Sequence, residues 1–262
     1  MKQKIFYNLL SVLVFIIVLA IWQFFSVSVK IKFFFGSPYL IFQSITQNSG
    51  ALFSDTIITG VEALLGFLIG ILCGTIVGFL LWYSPLIARI SKPYIIIAGA
   101  IPIFAFAPIV ILWFGIGITM KIAMAAFGAF LISLTQAYEG ANSIDLEEYR
   151  LLKIFGASRF QVLKKIIFPA ALSWVLTSMK LCVGFSLLGA FIGEFISADR
   201  GLGHFMLRAG SLYDIPSVFA GGFFLILLAI LFNYFVILIE RNKMKIVEFF
   251  SVDQRLRTLL NK

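Results

Sequence analysis

The chain has 262 residues, of which 61% are hydrophobic, and its mean hydropathy is +1.05. This composition excludes an ordinary water-soluble domain and indicates a protein that resides in a bilayer. The net charge of +9 does not indicate a nucleic-acid partner, because Lys and Arg fall mostly in short segments between apolar runs. Cytoplasmic loops of membrane proteins carry such charges.

Six stretches are long and apolar enough to cross the hydrocarbon core, which takes about 20 residues of helix. They run over 6–28, 57–82, 94–114, 119–138, 171–197 and 217–239. The first is too long for a secretory signal, so we expect an uncleaved first span. We therefore predict an all-α, polytopic membrane protein with six transmembrane helices in a single domain over residues 1–262.

The distribution of basic residues predicts the orientation in the membrane. With the amino terminus inside, 15 of the 21 Lys and Arg residues fall on the cytoplasmic side. Five fall outside: Lys30, Lys32, Lys121, Arg200 and Arg208. This bias predicts that both termini lie in the cytoplasm.

Two predicted outer segments carry helix signals. Ser37 before Pro38 is typical of an N-cap followed by the first turn of a short helix. In segment 198–216, glycines surround a short helix near His204. Because His204 has no second His or Cys nearby, we expect a solvated loop residue and not a metal ligand.

The segment 139–170 is the longest stretch between the predicted spans. A capping-box spacing at 145–148 predicts the start of a helix, which Gly156 should end. The same spacing at 158–161 predicts a second helix, which should run as far as Pro169. Such a basic, amphipathic hairpin fits either the surface of the anionic inner leaflet or a protein partner.

The order of motifs decides between these two interpretations. Gly156, Ile166 and Phe168-Pro169 resemble the glycine and I-x-L-P anchors of the EAA loop in bacterial ABC importer permeases. Further matches to the nitrate, sulfonate and taurine branch follow in order, at 37–38 (S-P), 102–108 (P-x-x-A-x-x-P), 113–117 (W-F-G-x-G) and 194–203 (E-x-n-G-L-G). The resemblance covers about residues 37–241, with the coupling loop at 139–170.

The resemblance implies the permease subunit of a binding-protein-dependent ABC importer in the bacterial inner membrane. Its expected cargo is a sulfonate-, nitrate- or taurine-like anion or a small vitamin precursor. The implied partners are a separate ABC ATPase, a periplasmic or lipid-anchored solute-binding protein, a second copy of the chain and membrane lipid.

Motifs for chemistry on the chain itself are missing from the sequence. It contains no Gly-x-x-x-x-Gly-Lys-Ser/Thr loop, so we expect ATP to bind the partner and no cofactor to bind this chain. It also contains no Ser-His-Asp arrangement and no H-E-x-x-H helix, so we expect no enzymatic activity. The alternatives are a stand-alone secondary transporter or channel, which would need ion-coupling groups in the spans, and a membrane-embedded enzyme.

The resemblance places the ATPase contact at the turn of the cytoplasmic hairpin. The implied docking residues are Leu151, Leu152, Phe155, Gly156, Ala157, Ser158 and Arg159. Arg150-Leu151-Leu152 stand where the family's Glu-Ala-Ala would be, so docking should depend more on apolar contact than on a charge pair.

Three ionisable residues within predicted spans are candidates for the solute pathway or its gate, because buried charges in membranes are costly. For Glu62 two interpretations are open. Its carboxylate contacts the solute, or it lies at the outer end of its span, where it reaches the membrane surface or caps a helix. Lys180 pairs within the bundle, and the resemblance implies that Glu194 braces the outer mouth. Separately, Gly66, Gly70, Gly74 and Gly78 form a close-packing stripe, used either within the bundle or across a two-fold axis.

Overall fold

The computed structural model describes residues 2–26, 36–197 and 200–242, which contain helices and no strand. The helices are α1 (Lys2–Phe25), α2 (Pro38–Gln47), α3 (Ser49–Tyr83), α4 (Pro85–Ala100), α5 (Ala107–Phe114), α6 (Ile118–Asn142), α7 (Leu146–Ile154), α8 (Arg159–Val162), α9 (Phe168–Ser197), α10 (Leu202–Ser211) and α11 (Ile215–Arg241). A 3-10 turn (Ile103–Phe106) precedes α5, and a π-helical turn (Leu163–Ile167) joins α8 to α9.

Four described helical stretches are long and apolar enough to cross a membrane: α3, α6, Arg159–Ile196 and α11. The bent pair of α4 and α5 makes a fifth span if it is counted as one. In α1 the apolar part, Leu9–Phe25, is shorter than a typical span, and its predicted continuation at 27–28 lies outside the described residues. The all-α, multi-pass prediction is confirmed, whereas the count of six spans stays a prediction.

The predicted span 94–114 is not one straight helix. The chain bends by 102° between Pro85–Ala100 and Ile103–Phe114. Ile101 is extended, with φ −78° and ψ 126°, because the ring of Pro102 disfavours helical geometry in the preceding residue. Pro102 also has no N–H to continue the helical hydrogen bonds of α4.

The centre of the bundle is the contact between α3 and α6, and the glycine stripe of α3 forms it. A Cβ at Gly70 would lie 2.5 Å from the carbonyl oxygen of Ala126, and one at Gly74 would lie 2.5 Å from that of Phe130. The stripe therefore packs within the chain, which decides between the two predicted uses. On its other side, α6 packs against α9, where Gly189 approaches the carbonyl of Met124 in the same way.

The bundle has two ends, which we name by what they carry. At the α10 end, α2, α10 and the first turns of α3 and α11 share a small apolar core that includes Leu52, Leu202 and Ala220. The hairpin end carries α7, α8 and the last turn of α3, around Val162 and Ile167. The predictions for Lys30 and Lys32, and those for the residues after 242, concern residues outside the described part of the chain.

The predicted cap at the α10 end is confirmed. The Ser37 hydroxyl caps α2 by accepting a hydrogen bond from the Leu40 N–H at 3.2 Å, with Pro38 in the first turn. Between α5 and α6 the chain reverses at Gly115 and Gly117, whose φ angles are +71° and +146°. Both angles lie in the region that favours glycine, so this tight turn depends on them.

Candidate functional site

The turn of the hairpin is fixed by backbone hydrogen bonds around Gly156. Its φ is +74°, and its N–H donates to the carbonyl of Lys153 at 3.0 Å. The N–H of Ala157 donates to the carbonyl of Leu152, also at 3.0 Å. These two bonds form a Schellman motif, so α7 ends at the predicted glycine in a defined geometry.

The caps of the two hairpin helices differ from each other. At Ser158 both bonds of the predicted capping box are present: its hydroxyl accepts from the Gln161 N–H, and the Gln161 side chain accepts from the Ser158 N–H at 2.8 Å. Asp145 caps α7 differently: it accepts from the N–H of Glu147 at 3.0 Å and not from that of Glu148, which the capping-box spacing predicts. Both predicted helix starts are therefore confirmed.

The predicted end of the second helix at Pro169 is wrong, because one helical stretch runs from Arg159 to Ile196. A π-helical turn at Leu163–Ile167 lies directly before the proline, with the Phe168 N–H bonded to the Leu163 carbonyl. Such a turn shifts the hydrogen-bond pattern by one residue where Pro169 can supply no donor. The hairpin is thus continuous with the membrane-spanning part of α9.

The outer face of this turn is apolar and exposed. The side chains of Ile154 and Phe155 are 81% and 77% exposed, and those of Leu151 and Phe160 are exposed as well. Leu152 and Ala157 are instead half-buried against the hairpin's own core. Ile154 and Phe160 were missed as candidate docking residues; the signal that identifies them is their apolar character on either side of the Gly156 turn.

Arg159 faces back to its own chain. Its guanidinium donates to the carbonyl oxygen of Tyr83, the last residue of α3, at 3.2 Å and lies 6.0 Å from the ring of Tyr83. The last carbonyls of a helix have no helical partner, and a cation there is favourable. Arg159 therefore joins the hairpin to the end of α3.

At the α10 end, Glu194 is fully buried and holds a loop. Its Oε1 accepts from the Thr59 hydroxyl at 2.6 Å, and its Oε2 accepts from the Gly203 N–H at 2.7 Å. A Cβ at Gly201, where φ is +108°, would overlap the carboxylate. The Glu and Gly-Leu-Gly motif is thus one structural unit, in which the glycines let the backbone approach the buried acid.

Glu62 forms a buried ion pair with Lys121. The two side chains are 1% and 2% exposed, and Lys121 Nζ lies 3.2 Å from Glu62 Oε1. The prediction that Glu62 snorkels or caps at the outer surface is wrong, since its carboxylate points into the bundle. Lys121 lies at the same end of the bundle as Arg200, with which the charge count grouped it, but it is a buried residue of α6 and not a loop residue.

The structure also places the candidate Lys180 and the loop prediction for His204. Lys180 pairs with Glu240 at 2.6 Å, with both side chains partly exposed, so the predicted pairing within the bundle is present. This pair is separate from the cluster around Glu194. His204 is half-buried in α10 and not in a solvated loop, and its Nδ1 is buried without a hydrogen-bond partner among the described residues.

Two adjoining cavities follow α4 and α6. One of about 520 Å³ surrounds the break at Ile101–Pro102, and Thr135 supplies the only polar side chain among its described lining residues. The other, of about 360 Å³, shares Ile95 and Thr135 with the first and continues to Lys92 and Glu139 near the hairpin end. Together they form a groove that becomes more polar toward that end.

Comparisons with known proteins agree with this architecture. Residues 66–245 match the family described as "Binding-protein-dependent transport system inner membrane component". The formylaminopyrimidine transport permease protein ThiX of Halalkalibacterium halodurans is 29% identical over 226 residues, which is 84% of this chain and 88% of ThiX. The taurine transport system permease protein TauC of Escherichia coli K12 is 33% identical over 158 residues, which is 60% of this chain and 58% of TauC.

A solved structure has the same fold. The MetNI methionine ABC transporter in its inward facing conformations contains a chain that superposes with a TM-score of 0.66 at 18% identity. The superposition covers 74% of this chain and 97% of the MetNI chain. The family match spans more than half of the sequence, and the apolar helices fit a protein that crosses the membrane several times. This chain therefore belongs to the inner-membrane components of binding-protein-dependent transport systems, the permease subunits of ABC importers.

Proposed function

We propose that the 145–169 hairpin is the docking site of a separate ATPase, which binds ATP and drives inward transport through this chain. The observation that carries the proposal is the exposed apolar turn around Ile154 and Phe155. A turn held by a Schellman motif presents these side chains in a fixed geometry, as a docking surface requires. Large exposed apolar side chains that are clustered in this way mark interaction sites.

The competing occupant of this surface is the inner leaflet of the membrane. Glu147 and Glu148 are exposed in the first turn of α7, on the same hairpin as the apolar turn. An anionic lipid surface would repel these carboxylates, whereas a groove on a protein can accommodate them. Exposed Arg150, Lys153, Lys164 and Lys165 on the same hairpin would attract that surface, so charge alone does not choose between the two occupants. The membership of this chain among the ABC importer permeases favours the protein partner.

The solute path follows the groove along α4 and α6. Broken helices in transporters commonly line the path with backbone groups, and here the last residues of α4 line the larger cavity at the break. Two copies of the chain, facing each other across these grooves, would enclose the path. A solute-binding protein would deliver cargo at the α10 end.

The cargo is a small polar organic solute. The names of two relatives include formylaminopyrimidine and taurine, which favours a small vitamin precursor or a sulfonate-like compound. Lys92 and Glu139 bring both signs of charge to the smaller cavity, so a solute with both a basic and an acidic group suits it better than a simple anion.

The hairpin end is cytoplasmic in this proposal, and both termini lie on that side. In support, Trp22 near the end of α1 packs against Phe219 at the start of α11, with ring centroids 5.7 Å apart. The opposite ends of these two helices, at Lys2 and Arg241, are therefore both directed away from the α10 end. Basic residues at 2, 4, 241, 243 and 245 flank these ends, as the positive-inside effect requires.

Co-purification tests the docking surface. The tagged chain, extracted in detergent from its own host, should bring down in equal amounts a protein with a Gly-x-x-x-x-Gly-Lys-Ser/Thr loop, identified by mass spectrometry. Phe155→Asp should abolish this recovery, since a carboxylate replaces an exposed apolar anchor. Gly156→Val should do the same, because a β-branched residue strains a φ of +74° and distorts the turn.

The matched control is Leu212→Asp, which places the same charge on a side chain that is 71% exposed at the α10 end. This variant should recover the ATPase at the wild-type level. Recovery that is unchanged in both hairpin variants would contradict the proposed docking surface. Transport by the purified chain in liposomes without ATP would instead favour a stand-alone transporter.

A further inference from the structure

Four consecutive backbone positions at the α10 end are held by side chains from three helices. From α3, Asp55 Oδ1 accepts from the Gly201 N–H at 3.2 Å, and Thr59 Oγ1 accepts from the Leu202 N–H at 2.9 Å. From α9, Glu194 accepts from the Gly203 N–H, and from α6 the ammonium of Lys121 donates to the carbonyl of Arg200 at 3.1 Å. We call these four positions the 200–203 segment.

Lys121 is the one side chain from α6 among these contacts. The helix α6 passes at its other end, through residues 143–145, into α7 of the hairpin. Lys121 therefore ties the 200–203 segment to the helix that leads into the hairpin, while the other three contacts tie the segment to α3 and α9. The segment leads directly into α10, whose Arg208 is exposed.

Burying the charged side chain of Lys121 costs free energy. The need to neutralise Glu62 does not explain this cost, because both residues could be replaced together. A buried ion pair can often be replaced by apolar residues of similar volume without loss of stability. The bond to the Arg200 carbonyl is different, because it needs a donor at the end of a long side chain. The contact with Glu62 orients the Lys121 ammonium toward that carbonyl.

We infer that Lys121 is a positioning residue for import, which ties the 200–203 segment to α6 and so couples α10 to the hairpin through one helix. The coupling rests on the proposed function, since the hairpin meets the ATPase and the α10 end meets the solute-binding protein. The contact between Lys121 and Arg200 stands on the geometry alone.

The decisive variant removes the donor without leaving a buried charge. In the double substitution Glu62→Gln with Lys121→Met, the ion pair is lost as a unit and the bond to Arg200 is lost with it. Amide hydrogen exchange of the 200–203 segment in detergent should then be about tenfold faster than in the wild type. Lys121→Arg keeps both the charge and the donor, and it should exchange at close to the wild-type rate.

The same variants should differ in transport. In a strain deleted for this gene, the double variant should restore uptake about tenfold less well than the wild type, from the loss of one hydrogen bond to a charged donor. Uptake is measured with the solute whose use the deletion abolishes, and Lys121→Arg should restore it. Wild-type exchange together with wild-type uptake in the double variant would overturn the inference.

A second measurement needs no substitution. In the wild-type complex with its co-purified ATPase, ATP with vanadate should change the exchange of the 200–203 amides, because α6 moves with the hairpin. Unchanged exchange would overturn the coupling, even if the double variant failed to accumulate. If no ATPase co-purifies, the proposed function fails, while the exchange of the double variant still tests the contact between Lys121 and Arg200.

Discussion

Three ionisable side chains are buried together at the α10 end: Glu62, Lys121 and Glu194. Glu194 and Lys121 each make a contact that an apolar residue could not make. Glu194 accepts from a backbone N–H and a hydroxyl, and Lys121 donates to a carbonyl. Since an unpaired polar group in a membrane protein's interior costs several kcal/mol, these residues define the loop that they hold.

Substitutions of Glu194 should have graded effects. Glu194→Gln keeps an acceptor for the Gly203 N–H, while the Thr59 hydroxyl can turn to the Asp55 carbonyl, 3.0 Å away. One oxygen of the carboxyl group becomes an NH2 that cannot accept a hydrogen bond, so we expect a loss of about 2 kcal/mol and lower uptake. Glu194→Leu leaves the buried Gly203 N–H without this acceptor, while the Thr59 hydroxyl can again turn to Asp55, and should cost about 3 kcal/mol. Thermal unfolding of the detergent-solubilised protein measures both variants.

Glu240→Gln is the control for these substitutions. It breaks the partly exposed pair with Lys180, which is worth about 1 kcal/mol or less. A Glu194→Leu variant that melts at the same temperature as Glu240→Gln would contradict the role assigned to Glu194.

The sequence predicts some of these residues and not others, for a physical reason. Glu194 and the glycines of its loop form a motif whose order is visible in the chain. Lys121 lies only three residues into α6, so a count of loop charges assigns it to the outside. Its ion pair with Glu62 and its bond to the Arg200 carbonyl join residues that are far apart in the chain, and only the fold brings them together.

At the scale of elements, the α3–α6 pair is the rigid unit of the bundle. Its helices approach closely because glycines without side chains line one face of α3. The pair is therefore stabilised by van der Waals contact along the stripe. The interface allows no added atom at Gly66, Gly70, Gly74 or Gly78, where a Cβ would lie within 3.0 Å of α6.

We expect Gly74→Ala to loosen this pair. The added methyl would lie 2.5 Å from the Phe130 carbonyl oxygen, so the helices must separate, at a cost of about 1–3 kcal/mol. The melting temperature in detergent should fall. Gly50→Ala in the same helix is the matched control, because no atom lies within 4 Å of its added methyl. An equal melting temperature for the two variants would refute the packing role of the stripe.

Elements set by local signals are predicted best. The Ser37 cap and the turn at Gly156 depend on residues within one or two helical turns, so their patterns are sufficient. The glycine stripe predicts close packing but not its partner helix, which the fold supplies. The bend at Ile101–Pro102 was missed because the apolar run continues through it, although the proline carries the signal. The continuation of α9 through Pro169 was missed for the opposite reason, since a π-helical turn removes the break that a proline predicts.

At the scale of the whole molecule, α3 connects the two candidate sites. Its last carbonyls receive Arg159 from the hairpin, and its first turns hold the 200–203 segment through Asp55 and Thr59. The helix has 35 residues and packs against α6 along the glycine stripe, so the two helices together connect the hairpin with the α10 end. The hairpin and the 200–203 segment are therefore attached to the same helix pair.

This arrangement can transmit a movement of the ATPase only if the hairpin faces the cytoplasm. Thiol labelling tests that orientation. Cys73 is exposed and is first replaced in Cys73→Ser, whereas Cys182 is buried and can remain. Ser158→Cys in this background should not react with an impermeant maleimide in intact cells, and it should react once the membrane is opened. Leu212→Cys, at the exposed end of α10, should react in intact cells. If the reactivities of these two thiols are reversed, no cytoplasmic ATPase can reach the hairpin, and the importer mechanism proposed for this chain fails.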